Sequence, residues 1–422
     1  MTQPPALAAW IGIDWADQHH DISLQESGSA TVERRRLPHT PEAIAEWLGE
    51  LRGRFPGQQV GIAVETSRGP LVHALLEHEF VVLYPINPRS LQRFRETFAP
   101  SGAKDDVPDA DLLRELLVKH RDRLRAWMPE DVATRALRRL VESRRKTVDL
   151  RTKLLQQLTA ALKEYFPQAL RWAGEDLASP MACDFLLRWP TLEVVQRVRA
   201  QTLRQFYRGH HGRRAERIEQ RIQEMREAVP LTRDPAIVET TALMVQTLAR
   251  QLQALGPSLE RFDQEIAQRF GAHADADLFS SLPGSGAALA PRLLVVFGAD
   301  RTRFASAAEV QQLTGIAPVT QRSGQRSTVH WRWAAPTFVR QTVHEFAHHS
   351  IRYSAWARSY YALQRRRGKG HHAAVRALAF KWLRILWRCW HDRTPYDETH
   401  YHRSLIQRGA PIAPDLVSAE AA

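Results

Sequence analysis

The sequence predicts a mixed α/β domain at the N-terminus, followed by a chain that is almost entirely α-helical. Two observations support this division. Short β-type runs alternate with helical stretches over about the first 120 residues, whereas from about Asp131 the apolar residues recur at the spacing of a helix face. At 422 residues the chain is also too long for one ordinary domain. We therefore expect domains at 1–125, 126–275 and 276–400, and a flexible tail at 401–422.

The N-terminal domain is predicted to place its strands and helices in a definite order. The run Asp21–Gln25 alternates polar and apolar residues, as a half-exposed strand does. The stretch Pro41–Arg54 is predicted as a helix, because Thr40 can cap it and Pro41 suits its first position. The elements in chain order are strands Ala9–Asp14, Asp21–Gln25 and Thr31–Arg35, helix Pro41–Arg54, strand Gln59–Glu65, helix Pro70–His78, strand Val81–Ile86 and helix Arg89–Phe98. This order, β-β-β-α-β-α-β-α, is that of an RNase H-like (RuvC-like) domain.

Four carboxylates fall at the ends of these elements. Asp14 ends the first strand, Glu65 ends the fourth, and Asp106 and Asp109 lie three residues apart beside a late helix. Phosphoryl transfer at a phosphodiester uses two cations about 4 Å apart. Hard cations prefer carboxylate oxygens, and the acids offset their charge. The sequence therefore predicts a two-metal site acting on nucleic-acid phosphates; the alternative is surface acids at strand ends and a helix cap.

Charge and cysteine content narrow the partners and the compartment. A formal charge of +13 and a pI near 10.2 favour nucleic acid over a membrane as partner. The alternative is a basic, soluble protein without a polyanionic partner. Two cysteines exclude a disulfide framework and a Cys-rich zinc site. The sequence contains neither an apolar stretch of about 20 residues nor a signal-peptide pattern. We expect a protein of the reducing cytoplasm.

The middle region carries a narrow apolar stripe flanked by basic residues. Such a stripe favours a coiled coil or an antiparallel helical hairpin. It indicates either an oligomerisation arm that also lies against nucleic acid or a solvated helical spacer. The stripe consists of Leu137, Leu140, Val141, Val148, Leu154, Leu155, Leu158 and Leu162.

The C-terminal third offers three nucleic-acid candidates. The run Ser281–Gly286 is predicted to open a helix-hairpin-helix-like element, in which the amides of Gly284 and Gly286 can hold a DNA phosphate. Ser323 lies in a glycine-bounded loop and is either a nucleophile or an ordinary loop residue. The remaining candidates, all basic, are Arg322 and Arg326 beside that serine, and Arg365, Arg366, Arg367 and Lys369 between two helices.

A zinc-protease pattern also occurs in this region. His344-Glu345-Phe346-Ala347-His348 matches H-E-x-x-H on a stretch predicted to be helical. Zinc requires a third ligand, for which His371, His372 or His391 is available. The basic, aromatic-rich surroundings argue against a protease, so this remains a distant alternative.

The arrangement resembles the DEDD transposases of bacterial insertion sequences, a family of bridge-RNA-guided recombinases, over roughly residues 10–120 and 275–400. The family's I-G-I-D opening matches residues 11–14, and its K-x-D-x-x-D-A signature matches residues 104–110, beginning at Lys104. Its P-G-x-G matches residues 283–286, and its G-[LI]-x-P followed by S-G matches residues 315–318 and 323–324. There are departures: Asp17 stands where a lysine is frequent, and the middle region is longer than usual.

The resemblance implies a DNA recombinase with roles for specific residues. Asp14, Glu65, Asp106 and Asp109 would bind Mg²⁺, or Mn²⁺ in its place, and Ser323 would form a transient phosphoserine bond with DNA. It also implies donor and target DNA, a structured non-coding guide RNA, and a homodimer or homotetramer. Two alternatives remain open: a RuvC-like junction nuclease that uses water instead of the serine, and a non-catalytic nucleic-acid-binding protein. The sequence does not decide whether Ser327 can replace Ser323.

Overall fold

The computed structural model describes residues 6–65, 69–98, 109–210, 214–324, 326–330, 332 and 335–414. The chain divides into two compact units, Met1–Pro129 and Glu130–Ala422. The first is a mixed α/β unit and the second is mostly helical. This agrees with the predicted division into an α/β N-terminal part and a helical remainder.

The first unit is built on a five-stranded sheet. The strand order is β3-β2-β1-β4-β5; β1 pairs antiparallel with β2, and β1, β4 and β5 run parallel. The elements are β1 (Leu7–Trp15), β2 (His19–Glu26), β3 (Val32–Pro38), α1 (Pro41–Arg54), β4 (Gln59–Val64), α2 (Pro70–Leu75), β5 (Val81–Pro85), α3 (Pro88–Phe98) and α4 (Asp109–His120).

The two faces of this sheet are covered by different helices. On one face, Ile11 and Ile13 of β1 pack with Trp47 and Leu48 of α1 in a buried core. On the other face, α4 packs against β1 at Gly12, where a Cβ atom would lie 1.9 Å from the carbonyl oxygen of Ala110. Only glycine permits so close an approach of two backbones. The first turn of α4 is thereby held against the central strand.

The second unit begins with two long helices and a group of shorter ones. α5 (Val132–Tyr165) and α11 (Pro235–Gly271) pack along each other. The helices between them are α6 (Ala169–Trp172), α7 (Pro180–Arg188), α8 (Leu192–Arg197), α9 (Ala200–Gly209) and α10 (Ala215–Glu227). Together with the end of α5 and the start of α11, these helices form one hydrophobic core.

A second core lies at the other end of the long helix pair. Leu137 and Val141 near the start of α5 join Ile266 near the end of α11, so the two helices run antiparallel. The elements that complete this core or flank it are α12 (Ala276–Ser280), α13 (Gly286–Phe297), α14 (Ala307–Leu313), β6 (Val319–Ser323), β7 (Arg326–His330), α15 (Thr337–Tyr353), α16 (Ala355–Arg366), α17 (His371–Asp392) and α18 (Glu398–Gln407). The antiparallel packing of α5 and α11 is consistent with one of the two arrangements that the stripe predicted.

Two features of the second unit differ from the sequence-based expectations. Residues 319–330, expected as a loop in an all-helical domain, include the antiparallel hairpin β6–β7. Residues 401–414, expected in a flexible tail, include most of α18, and Leu405 and Ile412 are buried in the core. These two apolar side chains anchor a segment whose overall composition is polar. In the described part of the chain, no helix is long and apolar enough to span a membrane.

Candidate active site

Two of the predicted acids lie side by side at the carboxyl ends of neighbouring strands. β1 and β4 pair in parallel with Ile13 opposite Val64, so Asp14 and Glu65 are the next residues on each chain. Asp109 is the first residue of α4, which packs on β1. The sheet and α4 therefore bring three of the four predicted carboxylates to one place.

The electrostatics of these groups show that they interact. Burial raises the pKa of Asp14, and the charges of Asp109 and Asp21 raise it further. Burial also raises the pKa of Glu65, with Asp109 and Asp14 adding to the effect. Like charges close together disfavour ionisation, so this cluster favours a cation.

One cation of the chain already lies in the cluster. Arg95 of α3 forms an ion pair with Asp109, and its positive charge counteracts part of the rise in the pKa of Asp14 and Glu65. Its side chain is about one-third exposed. Arg95 therefore offsets part of the negative charge that a metal ion would otherwise neutralise.

The donor set suits a hard divalent cation, because its members are all carboxylates and repel one another. Within the described ranges, however, no three His, Cys, Asp or Glu side chains are grouped closely enough to hold a metal ion. Asp106 and Lys104 lie outside the described residues. The three described acids thus fit part of a carboxylate metal site, and the fourth predicted ligand is not among the residues that the structure describes.

A buried polar network, which the sequence reasoning missed, fixes α4 on the sheet. The hydroxyl of Ser23 donates to the Asp111 carboxylate (2.5 Å), and Arg34 Nε donates to the same carboxylate (2.9 Å). Arg114 Nε donates to Ser23 Oγ (2.9 Å). Asp111 is only 4% exposed, so these partners compensate a buried charge. The network holds α4, and with it Asp109, at a fixed position on β2.

Ser323 lies in the second unit, at the end of the β6–β7 hairpin. It is the last residue of β6, is exposed, and pairs in register with Arg326. Gly324 follows it with φ +56°, a left-handed conformation that glycine adopts without strain. The neighbouring Arg322 pairs with Ser327 on the next rung of the ribbon. The serine is therefore presented at the tip of a two-stranded ribbon.

The two glycines of the predicted phosphate-binding turn have different surroundings. A Cβ on Gly284 would lie 2.8 Å from the Tyr353 ring and 3.2 Å from the His349 backbone, so this glycine allows α15 to pack closely. Gly286 begins α13, is exposed, and has nothing within 4 Å of its Cβ position. Gly286 is thus the more accessible of the two to a phosphate.

The predicted basic segment comprises the end of α16, where Arg365 and Arg366 lie, and the turn that leads to α17. Its four basic residues are exposed. Arg365 Nη1 donates to the Lys369 carbonyl (2.9 Å), and Lys369 Nζ donates to Gln364 Oε1 (2.6 Å). These bonds shape the turn and leave a compact, positively charged surface. The four residues are Arg365, Arg366, Arg367 and Lys369.

The H-E-x-x-H pattern lies on α15, but its glutamate has another role. Glu345 accepts hydrogen bonds from Arg292 (2.6 Å) and Arg145 (3.1 Å), so it joins α13 and α5 to α15. The rings of His344 and His372 lie 5.6 Å apart, and those of His348 and His371 lie 5.3 Å apart. A glutamate held by two arginines is not free to act as the general base of a protease.

Comparison with known proteins is consistent with this arrangement. Residues 11–167 match the model of the DEDD transposase family typified by IS110, and residues 276–362 match that of the IS116/IS110/IS902 transposase family. The chain is 27% identical to the proposed mini-circle transposase for IS117 of Streptomyces coelicolor, over 96% of this chain and 99% of that protein.

Two further relatives are also similar to this chain. The proposed transposase y4uE of Sinorhizobium fredii is 31% identical over 49% of this chain and 57% of its own length. An uncharacterised 43.6 kDa protein of insertion element IS110 from Streptomyces coelicolor is 24% identical over 93% of this chain and 96% of that protein. The similarity thus reaches both units.

Proposed function

This chain belongs to the DEDD transposases of bacterial insertion sequences, the IS110 type, and from that premise we propose that it cuts and rejoins DNA strands with a divalent metal and a covalent phosphoserine intermediate. Such an enzyme recombines DNA, and its DEDD domain indicates the use of a divalent metal. The observation that carries the proposal is the convergence of Asp14, Glu65 and Asp109 on one edge of the sheet.

The first unit would supply the metal site. Its strand order and its two acids at neighbouring strand ends support an RNase H-like (RuvC-like) domain. Asp14, Glu65 and Asp109, with Asp106, would hold Mg²⁺, or Mn²⁺ in its place. When bound, the metal would polarise the attacked phosphate and help to stabilise the leaving oxygen.

Ser323 would be the nucleophile. Its hydroxyl oxygen would attack the phosphorus of a DNA phosphodiester, so that the Oγ–P bond forms while the bond from phosphorus to the 3′ oxygen breaks. The hydroxyl proton leaves the serine, and the released 3′ oxygen ends as a hydroxyl. The phosphoserine keeps the energy of the phosphodiester, so the reverse attack by another 3′ hydroxyl rejoins DNA without ATP. Exposure at the hairpin tip supports this role.

The remaining partners follow from charge and from the family resemblance. A structured non-coding guide RNA would specify donor and target by base pairing, while the protein contacts shape and backbone. The net charge of +13, the exposed segment Arg365–Lys369 and the turn at Gly286 support contact with such polyanions. Strand exchange would require a homodimer or homotetramer, acting in the cytoplasm where the DNA lies.

The test is a strand-exchange assay with donor DNA, target DNA and the non-coding RNA that flanks the gene. Wild-type protein should form a covalent protein–DNA adduct that survives denaturing gels, and Ser323→Ala should abolish it. Asp14→Asn should abolish both the adduct and DNA cutting. Ser327→Ala is the matched serine control.

Two outcomes would contradict the proposal in different ways. Ser323→Ala protein that still cuts DNA at the wild-type rate would favour the junction nuclease, in which water replaces the serine. Asp14→Asn protein that retains every activity would favour a non-catalytic nucleic-acid-binding protein.

A further inference from the structure

The register of the β6–β7 hairpin divides its residues between two faces. Residues directly opposite each other in an antiparallel pair share a face, and successive residues alternate between faces. Ser323 pairs with Arg326, and Gln321 pairs with Thr328. The first side of the ribbon, here called the serine face, therefore carries the register positions of Val319, Gln321, Ser323, Arg326, Thr328 and His330. The opposite side, here called the arginine face, carries Thr320, Arg322, Ser327 and Val329.

The serine face forms a polar row that leads away from Ser323. Gln321 and Thr328 form the next pair on this face, about 7 Å along the strands. His330 belongs to the following pair on this face, and its Nε2 is 3.0 Å from the hydroxyl of Thr328. All four of these polar side chains are exposed. The arginine face differs in carrying an exposed apolar side chain, that of Val329 (66% exposed), whereas Val319 on the serine face is half-buried.

This inference rests on the proposed role of Ser323. We propose that Gln321 and Thr328 are positioning residues, which hold the DNA sugar–phosphate backbone beside the phosphate that Ser323 attacks. Hydroxyl and amide side chains commonly donate hydrogen bonds to phosphate oxygens, and such contacts fix the register of a strand without reading its sequence. Because this pair lies only about 7 Å from Ser323 along the ribbon, the same DNA strand can contact both.

The same register assigns Ser327 and Arg322 to the opposite face. Ser327 and Arg322 pair with each other there. When Ser323 faces the phosphate, Ser327 faces away from it, so Ser327 cannot replace it as nucleophile. Arg322 lies on the opposite face from Ser323 by the same register.

Matched threonines allow a clean experiment, because Thr328 lies on the serine face and Thr320 on the arginine face of the same ribbon. Valine keeps the branched shape of threonine and removes only the hydroxyl. We expect Thr328→Val to slow adduct formation, measured in a single turnover at saturating DNA, by about tenfold. Thr320→Val should stay within about twofold of wild type, and Thr328→Ser, which restores the hydroxyl, should recover the rate.

Four results would overturn the inference. Equal losses in Thr328→Val and Thr320→Val would indicate damage to the hairpin itself, and rates within twofold for both would show that the face makes no contact. Loss in Thr328→Val without recovery in Thr328→Ser would exclude the hydroxyl. If wild-type protein forms no adduct at all, both the nucleophilic role of Ser323 and the positioning role are refuted. If the adduct forms but the variants behave alike, only the positioning role is refuted.

Discussion

Adding one methyl group at Gly12 should separate the helix and the strand that bring the acids together. A Cβ at this position would lie 1.9 Å from the Ala110 carbonyl oxygen and 2.5 Å from the Arg114 amide nitrogen. Both obstacles are backbone atoms, so no side-chain rotation relieves the overlap. Restoring even a 3.0 Å contact requires α4 and β1 to move apart by 1.1 Å, the difference between 3.0 and 1.9 Å.

The displacement would act on stability and on chemistry together. Overpacking of a tight interface costs about 1–3 kcal/mol, and Gly12→Ala should lie near the upper end because backbone must move. Asp109 begins α4 and Asp14 lies two residues beyond Gly12, so their separation changes by a similar distance. A misplacement of about 1 Å at a reacting centre can cost about 100-fold in rate. Calorimetric unfolding and single-turnover DNA cutting measure the two effects.

Gly49→Ala is the control for this change. Gly49 lies in α1, is exposed, and has nothing within 4 Å of its Cβ position. Alanine there should stabilise the helix by about 0.5–1 kcal/mol and leave the cutting rate unchanged. The reasoning fails if Gly12→Ala unfolds at the wild-type midpoint and cuts DNA at a rate within twofold of wild type.

Three further perturbations address charges described above. Arg95→Gln removes the guanidinium that pairs with Asp109 and should raise the affinity for Mn²⁺, measured by titration calorimetry, about tenfold. Unchanged or weaker Mn²⁺ binding would show that Arg95 does not compete with the metal ion for the carboxylates. Glu345→Gln leaves the Arg292 side chain, which is only 9% exposed, without its counter-charge. The free energy of unfolding in urea should fall by about 2 kcal/mol, a value kept low because the Glu345 side chain is 31% exposed. An unchanged unfolding midpoint would refute this prediction. Burial and a neighbouring histidine lower the pKa of His20 from 6.5 to about 4, so its contribution to stability is complete above pH 6.5 and is lost as the pH falls towards 4. The free energy of unfolding of wild type should therefore fall relative to that of His20→Gln between pH 6.5 and 4. Parallel curves of unfolding free energy against pH would refute this prediction.

The first unit was largely predictable because its elements carry local signals. Helix α1 is the clearest case, since Thr40 accepts from the Ala43 amide and Pro41 occupies the first turn, as the sequence predicts. Strands β1, β4 and β5 are short apolar runs and β2 alternates polar and apolar residues, so local patterns locate these strands along the chain. Local patterns, however, say nothing about which distant residue meets a strand.

Ser23 illustrates that limit. The alternation in Asp21–Gln25 predicts a half-exposed strand with Ser23 on the open side, but Ser23 is 1% exposed. Its partner Asp111 lies 88 residues away, on a helix that covers this face of the sheet. A hydroxyl that pairs with a carboxylate can be buried without penalty, and no local pattern reveals the partner.

The β6–β7 hairpin escaped prediction for a different reason. Strand signals depend on one face being apolar, whereas both faces of this ribbon are mostly polar and exposed. Arg322 and Ser327 pair across it although neither has a strong strand preference. Pairing partners and a glycine turn create this element, and neither is visible in hydrophobic periodicity.

The long helix pair of the second unit sets the distance between its two hydrophobic cores. Residues 142–153 of α5 belong to neither hydrophobic core, and this stretch spans about 18 Å. Because seven residues make almost two full helical turns, adding or removing seven in both helices would change the distance between the cores by about 10 Å and still present the same sides to each other. Insertions or deletions of this length could therefore change the distance between the two hydrophobic cores during evolution without altering the packing of either core.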